Sequence, residues 1–388
     1  EAGEFQRAVA LSSFVDGRRA SAAELAALGK AEVAAARYSA ARKHLHAALA
    51  LQPPRSAAAA IHWDLSQAEY LTQNFDDAVR HAEEAVRLGL SISPWHLALM
   101  RALAPIEGIL ENNGQPSGWV PMKFGDPDIP RVEVILNGVG RREGVIDSGA
   151  VFTILGETVA AESGVRFLGD FRGTLIGLLG EPIPVRFGIL DSLSVGDFTV
   201  SNVPVAVIAD HQLQFFVMQR TPFEIEILLG TNLLKDLRVD LDFPERRLAF
   251  EPKDPASEPR GDQNLFFVEL QPMIHVSINR KGWFLFLLDT GSEITFLNQE
   301  RLRETSVRNW TQLHGAALQG LGGSRKVGEK LRDVELAVAG WAGAFGELPL
   351  YGSRSQAFGI LGENFLQQFR VVIDFGKMRL DFIKASPV

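Results

Sequence analysis

The feature that most constrains this chain is a motif that occurs twice. Val145-Ile146-Asp147-Ser148-Gly149-Ala150 and Leu287-Leu288-Asp289-Thr290-Gly291-Ser292 are both apolar runs that end on an aspartate, followed by a small hydroxyl residue and a glycine. At average residue usage such a triplet should occur roughly 0.2 times in a chain this long. A single Asp-Ser-Gly is usually only a turn or a helix cap, because the short acidic side chain satisfies nearby backbone N–H groups. The surrounding sequence therefore has to discriminate.

It does so by repeating. The first triplet is followed by Ile227-Leu228-Leu229-Gly230-Thr231-Asn232-Leu233-Leu234, then Arg238-Val239-Asp240-Leu241-Asp242-Phe243 and Arg247-Leu248-Ala249-Phe250. The second is followed by Gly359-Ile360-Leu361-Gly362-Glu363-Asn364-Phe365-Leu366, then Arg370-Val371-Val372-Ile373-Asp374-Phe375 and Arg379-Leu380-Asp381-Phe382. These blocks align without a gap. Between triplet and block, each half also holds a glycine-rich run, Ile176-Gly177-Leu178-Leu179-Gly180 and Gln319-Gly320-Leu321-Gly322-Gly323. Three features in the same order in both halves read as an internal duplication.

That order resembles the aspartic peptidases of the pepsin and retropepsin type over roughly residues 130 to 384. In that family each lobe supplies Asp-Thr/Ser-Gly, a glycine-containing flap, and a hydrophobic-hydrophobic-Gly strand under the active-site loop. The resemblance implies a catalytic pair, Asp147 and Asp289, and active-site loops supported by Ser148, Gly149, Thr290, Gly291 and Ser292. It also implies flaps that use Gly177, Gly180, Gly320 and Gly323, and loop-supporting strands that end at Gly230 and Gly362. The pepsin flap tyrosine is missing from both glycine runs. Position four differs between halves: Ala150 is the retropepsin choice and Ser292 the pepsin choice. A Ser292 hydroxyl donating to Asp289 would favour the ionised form of Asp289 and make it the charged member of the pair. Asp242 and Asp374, at matched strand ends before turns, read as structural turn acids.

Amide hydrolysis without a metal or covalent intermediate needs an activated water and a proton for the leaving nitrogen. Two carboxyls a few ångströms apart provide both, because like charges at that distance cannot both ionise and one proton is shared. No cofactor or metal is expected. His44 and His46, two apart on a helix, do not face one another. No His-Glu-x-x-His spacing, Gly-x-Ser-x-Gly or phosphate-binding loop occurs.

The first 112 residues are different in kind. They hold five of the 36 glycines and are rich in Ala, Leu, Arg and Glu, a helical composition. Tyr38, Ala41, Leu45 and Ala48 share their spacing with Phe75, Ala78, Ala82 and Ala85. Small residues at such positions let paired helices approach closely, with an aromatic filling the gap between them. The pattern resembles tetratricopeptide repeats, with a period slightly longer than that family's, which is about 34 residues. Flanking helices are expected near residues 4–14 and 94–110. The fold class is therefore multidomain α + β: an N-terminal α-helical repeat domain (1–112), then a bilobal, mainly-β pepsin/retropepsin-like acid protease fold. A linker (113–130) whose prolines and glycines prevent regular structure joins the two. The lobes span 131–252 and 265–388, with an extended, proline-containing connection at 253–264. The linker is long enough to let the helices reorient over a cleft.

The expected activity is an aspartic endopeptidase acting on polypeptide, with the helices recruiting a protein partner or substrate, or gating the cleft. Two other readings stay open: a non-catalytic peptide-binding or scaffold protein on this fold, and pairing of lobes between two chains. Phe215-Phe216-Val217-Met218 lies in a segment longer in the first lobe than in the second, and fits cleft lining, a contact with the helices or plain core. With a net charge of −8 and its Lys and Arg scattered, the chain has no nucleic-acid footprint. No apolar run is long enough for a transmembrane helix, and the absence of cysteine excludes disulfides and thiolate sites. A first residue other than Met is compatible with a removed signal peptide, favouring the periplasm or secretion.

Overall fold

The structure, a computed structural model, describes residues 20–125, 128–177, 180–217, 221–254, 258–259, 262–303, 305–321, 323–352 and 355–384. The helix expected near residues 4–14 and Met218 of the phenylalanine run lie outside the described residues. Within them, N-terminal helices precede a mainly-β region of two lobes.

The helices are α1 (Ala22–Ala34), α2 (Tyr38–Ala50), α3 (Arg55–Leu71), α4 (Phe75–Arg87) and α5 (Pro94–Leu103). Ser21 opens α1 with a capping box: its hydroxyl accepts from the Glu24 N–H at 3.3 Å, and Glu24 accepts from the Ser21 N–H at 2.8 Å. Helices α1 and α2 meet where Gly29 faces Leu45; a Cβ at Gly29 would lie 2.5 Å from Leu45 Cγ. Ala41, Leu45 and Ala48 of α2, like Ala78, Ala82 and Ala85 of α4, are fully enclosed. The two helical hairpins turn at corresponding places, through left-handed Ala36 (φ 55) and Gln73 (φ 63).

Each β lobe is built around one arrangement. Val139–Ile146, which leads to Asp147, runs parallel to Ile227–Leu229 with Val145 opposite Leu228. Ile227–Leu229 is in turn antiparallel to Thr153–Gly156. In the second lobe Trp283–Leu288 leads to Asp289 and runs parallel to Gly359–Leu361, with Leu287 opposite Ile360. There Phe296–Asn298 takes the antiparallel place. The apolar runs of the sequence have this cause: strands flanked on both sides within a sheet and covered by packing have no face left for polar residues. Short helices, Thr231–Leu234 and Glu363–Leu366, follow the glycines.

The lobes are joined by a five-stranded sheet. Leu237–Asp242 of the first lobe pairs antiparallel with Phe369–Asp374 of the second, flanked by Arg247–Pro252 and Arg379–Lys384. Across that seam, Arg370 makes two hydrogen bonds to the buried Asp240, at 2.8 and 2.7 Å. Asp242 accepts from the Glu245 N–H at 3.4 Å and Asp374 from the Lys377 N–H at 2.9 Å, so both acids sit in turns.

Two expectations need correction. The linker is not irregular throughout: Val120–Pro121 adds an edge to the inter-lobe sheet. An edge position tolerates Pro121 because its missing N–H faces away from the ladder. Nor are the helices free to swing. Ala31 of α1 and Ala35 at its C-cap pack on Phe266 of the second lobe, and Gln73 donates to Asp236 of the first at 3.3 Å. The Ser39 hydroxyl donates to Glu258 between the lobes at 2.5 Å. Leu99 and Leu103 of α5 belong to the same continuous core as the strands of both lobes. Burying apolar helix faces on both lobes opposes detachment more strongly than a long linker favours it.

Candidate active site

Asp147 and Asp289 end the two apolar strands, and the fold brings their carboxyls into hydrogen-bonding contact. Each loop is suspended from its own lobe. The Asp147 N–H donates to Leu229 O and the Asp289 N–H to Leu361 O, both at 3.1 Å. Each loop also hangs from the other lobe. The Ser148 hydroxyl donates to Leu288 O and the Thr290 hydroxyl to Ile146 O, both at 2.7 Å, while each hydroxyl oxygen accepts the other's backbone N–H at 3.1 Å. Ser148 and Thr290 have no exposed surface. A hydroxyl is needed here because it donates and accepts at once, and any apolar replacement orphans two buried backbone groups.

The glycines after them are fixed by the opposite aspartate. A Cβ on Gly149 would lie 2.5 Å from Asp289 Cγ, and one on Gly291 the same distance from Asp147 Cγ. Without side chains there, the carboxyls approach across the seam and each loop turns its N–H groups on its own aspartate. Gly149 and Ala150 both donate to Asp147 Oδ1 at 2.9 Å, and Gly291 donates to Asp289 Oδ1 at 2.9 Å.

The loops are braced beneath by matched side chains. Asn232 accepts from the Thr153 N–H at 2.6 Å, and Asn364 from the Thr295 N–H at 2.8 Å. The N–H groups of Gly230 and Gly362 donate to the hydroxyls of Thr153 and Thr295. A Cβ at Gly230 would overlap Phe152, and one at Gly362 would meet Ile294 and Ser292 backbone within 2.7 Å, so both positions need glycine for close approach. The Asn and Thr braces carry a signal in the sequence, since Asn232 and Asn364 align in the duplicated blocks; it becomes informative only once their loop partners are known.

Surroundings of low polarity push both carboxyls up from their usual range. For Asp289, burial is the largest cause and the adjacent Asp147 charge adds to it; for Asp147, burial is opposed by the Ala150 and Gly149 N–H groups and by the bond to Asp289. Two carboxyls this close cannot both ionise, so they titrate as a pair. The contact expected of Ser292 is not made: its hydroxyl donates to Ile294 O at 2.9 Å instead of to Asp289.

One asymmetry escaped the sequence reading. Thr231 donates its hydroxyl to Ser148 O at 2.9 Å, whereas the aligned position in the second lobe is Glu363, enclosed completely with both carboxyl oxygens unpartnered. Burial, then the charges of Asp289 and Asp128, raise its pKa well above the ordinary value.

The glycine runs form hairpin tips. Gly173–Ile176 pairs with Pro182–Val195, and Gly177 and Gly180 lie at the turn, Gly180 at φ 81. Trp310–Gly320 pairs with Gly323–Val338, with Gly320 opposite Gly323. The two tips meet: a Cβ at Gly177 would overlap the Leu321 carbonyl of the second hairpin. Phe215–Val217 belongs to a separate hairpin, Gln214–Val217 with Thr221–Glu224.

Residues 132–233 match the family model described as aspartyl protease, and residues 268–374 match that described as retroviral aspartyl protease. Each β lobe thus matches an aspartyl protease model, and the two matches lie in tandem on one chain. Among solved structures the chain is similar to an aspartic proteinase from Irpex lacteus, with 12% identity, 70% of this chain and 98% of that chain covered, and a TM-score of 0.43. No curated protein matches.

Proposed function

We propose that the chain is an aspartic endopeptidase whose single site uses Asp147 as general base and Asp289 as general acid, on polypeptide held extended beneath two flaps. The observation that supports this reading is the close approach of the two aspartates across the lobe seam, with both carboxyls pushed up by burial. A water bound between them would lose a proton to Asp147 as its oxygen attacks the scissile carbonyl. Asp289 would donate to the carbonyl oxygen as the tetrahedral intermediate forms. Ser148 and Thr290, by tying each loop to the opposite lobe, would keep the two carboxyls in register through the reaction. Gly177, Gly180, Gly320 and Gly323 would shape the flap tips that exclude water from the closed complex. Two tandem lobes on one chain would make the site complete without dimerisation, and the matched blocks support their origin by duplication. The helices, with two corresponding hairpins resembling tetratricopeptide units, would govern which polypeptides reach the cleft.

The test is the purified chain incubated with an unstructured protein across about pH 3 to 8, beside Asp147→Asn and Asp289→Asn. Loss of cleavage in each variant with unchanged circular dichroism is the expected result. Near wild-type turnover by either variant refutes the pair.

A further inference from the structure

Helix α5 reaches the root of the first flap. Its Trp95 stacks on Phe187 at 5.3 Å between ring centroids and 18° between planes. Phe187 lies on the return strand of the flap hairpin, Pro182–Val195, and Gly173 begins the outgoing strand. The indole and Phe187 together fill the place where Gly173 would carry a side chain: a Cβ there would lie 2.7 Å from Phe187 Cε2 and 3.1 Å from Trp95 Cδ2. Phe187 also meets Phe152 edge-on at 5.3 Å. Phe152 follows directly on the Asp147 loop, and its backbone packs against Gly230. An aromatic column thus runs from the helices through the flap root to the loop that carries Asp147.

We infer that Trp95 is a positioning residue that sets the angle of the first flap, which makes the helical domain part of the cleft's closing machinery; this rests on the peptidase reading. The physical argument is leverage. From Gly173 to Gly177 the extended strand covers roughly 13 Å, so a small tilt at the root is magnified at the tip. That tip touches Leu321 of the second hairpin, and a displaced root separates the two. Flat stacking resists tilt because the rings lose contact when they rotate apart. The described rungs run from Gly173–Val185 to Ile176–Pro182, and the Gly177 N–H donates to Glu181 O at 3.1 Å at the turn. Among the described residues Gly173–Ile176 has no sheet neighbour other than this return strand, so packing at its root decides where the flap rests.

The experiment compares the full chain with Trp95→Ala and Trp95→Phe, reading peptide cleavage and backbone hydrogen exchange together. Trp95→Ala should raise KM for peptides roughly 10-fold or more through flap misplacement while kcat falls less. It should also speed exchange in residues 173–177 and 180–187 beyond any change in α1 to α4. Trp95→Phe, which keeps a stacked ring, should restore both. Unchanged flap exchange in Trp95→Ala, or acceleration no greater at the flap than throughout the helices, overturns the inference. The exchange comparison does not need turnover, so an inactive wild-type chain would reject the peptidase reading while leaving the flap coupling still decided by exchange.

Discussion

Glu363 should make this protein less stable as the pH rises, and a single amide substitution should relieve the effect. The carboxyl is wholly enclosed, neither oxygen has a partner among the described residues, and two other carboxyls, of Asp289 and Asp128, lie close enough to disfavour its charge. Folding therefore binds a proton at Glu363 that the unfolded chain has released once the pH passes the ordinary glutamate value of 4.5. The sign follows from linkage: a carboxyl with a raised folded pKa is neutral in both states below about pH 4.5 and costs nothing there. Above that value stability is lost by about 1.4 kcal/mol per pH unit, until the folded pKa is passed. Glu363→Gln keeps the volume and removes the titration. From about pH 5 upward the variant should gain on the wild type by about 1.4 kcal/mol for each pH unit up to the folded pKa. Urea midpoints for both proteins at half-unit intervals from pH 4 to 7 measure the difference directly. A difference that stays flat across that range would show that Glu363 is ionised in the native state, and would refute the reasoning. Glu363→Thr, which copies Thr231, should titrate in the same way, less a cavity cost of about 1 kcal/mol.

Other expectations follow from the same contacts. Thr290→Val orphans the Ile146 carbonyl and the Ser148 N–H, both buried, and should destabilise by about 2 to 5 kcal/mol; Thr290→Ser should recover most of that in the same thermal melt. Gly149→Ala drives a methyl into the Asp289 carboxyl and should abolish cleavage while circular dichroism stays native. Arg370→Met leaves Asp240 dependent on Arg238 at 3.3 Å and should cost about 2 to 4 kcal/mol in urea, with the seam between lobes losing exchange protection first. The pH profile of kcat/KM should be bell-shaped. The two limbs mark the first and second protons of the Asp147–Asp289 pair, which burial pushes upward from 3.8. A profile that peaks below that value would reject the assignment.

By itself the sequence carried the pattern of the two lobes and nominated Asp147 and Asp289 as the pair. The Asp-Ser-Gly and Asp-Thr-Gly loops, the Leu-Leu-Gly and Ile-Leu-Gly strands and the glycine tips are local patterns. Each residue there is dictated by its own backbone: a strand with no polar face, a loop that turns its N–H groups inward, a tip too tight for a side chain. The small-residue stripe of Ala41, Leu45 and Ala48, like that of Ala78, Ala82 and Ala85, was legible for the same reason, because helical spacing is a property of the segment alone. What only the tertiary structure decided were the relations between segments distant in the chain. Gly149 reads as a turn residue until Asp289 is seen to occupy the space of its missing side chain. Ser292 reads as a donor to Asp289 until its hydroxyl turns to Ile294. Glu363 looks like a surface acid at a helix start, and its burial follows from packing that spans the whole chain. Trp95 looks like one more aromatic in a helix. Its place at the flap root depends on how apolar helix faces and lobes cover one another, a sum over many contacts that no single segment encodes.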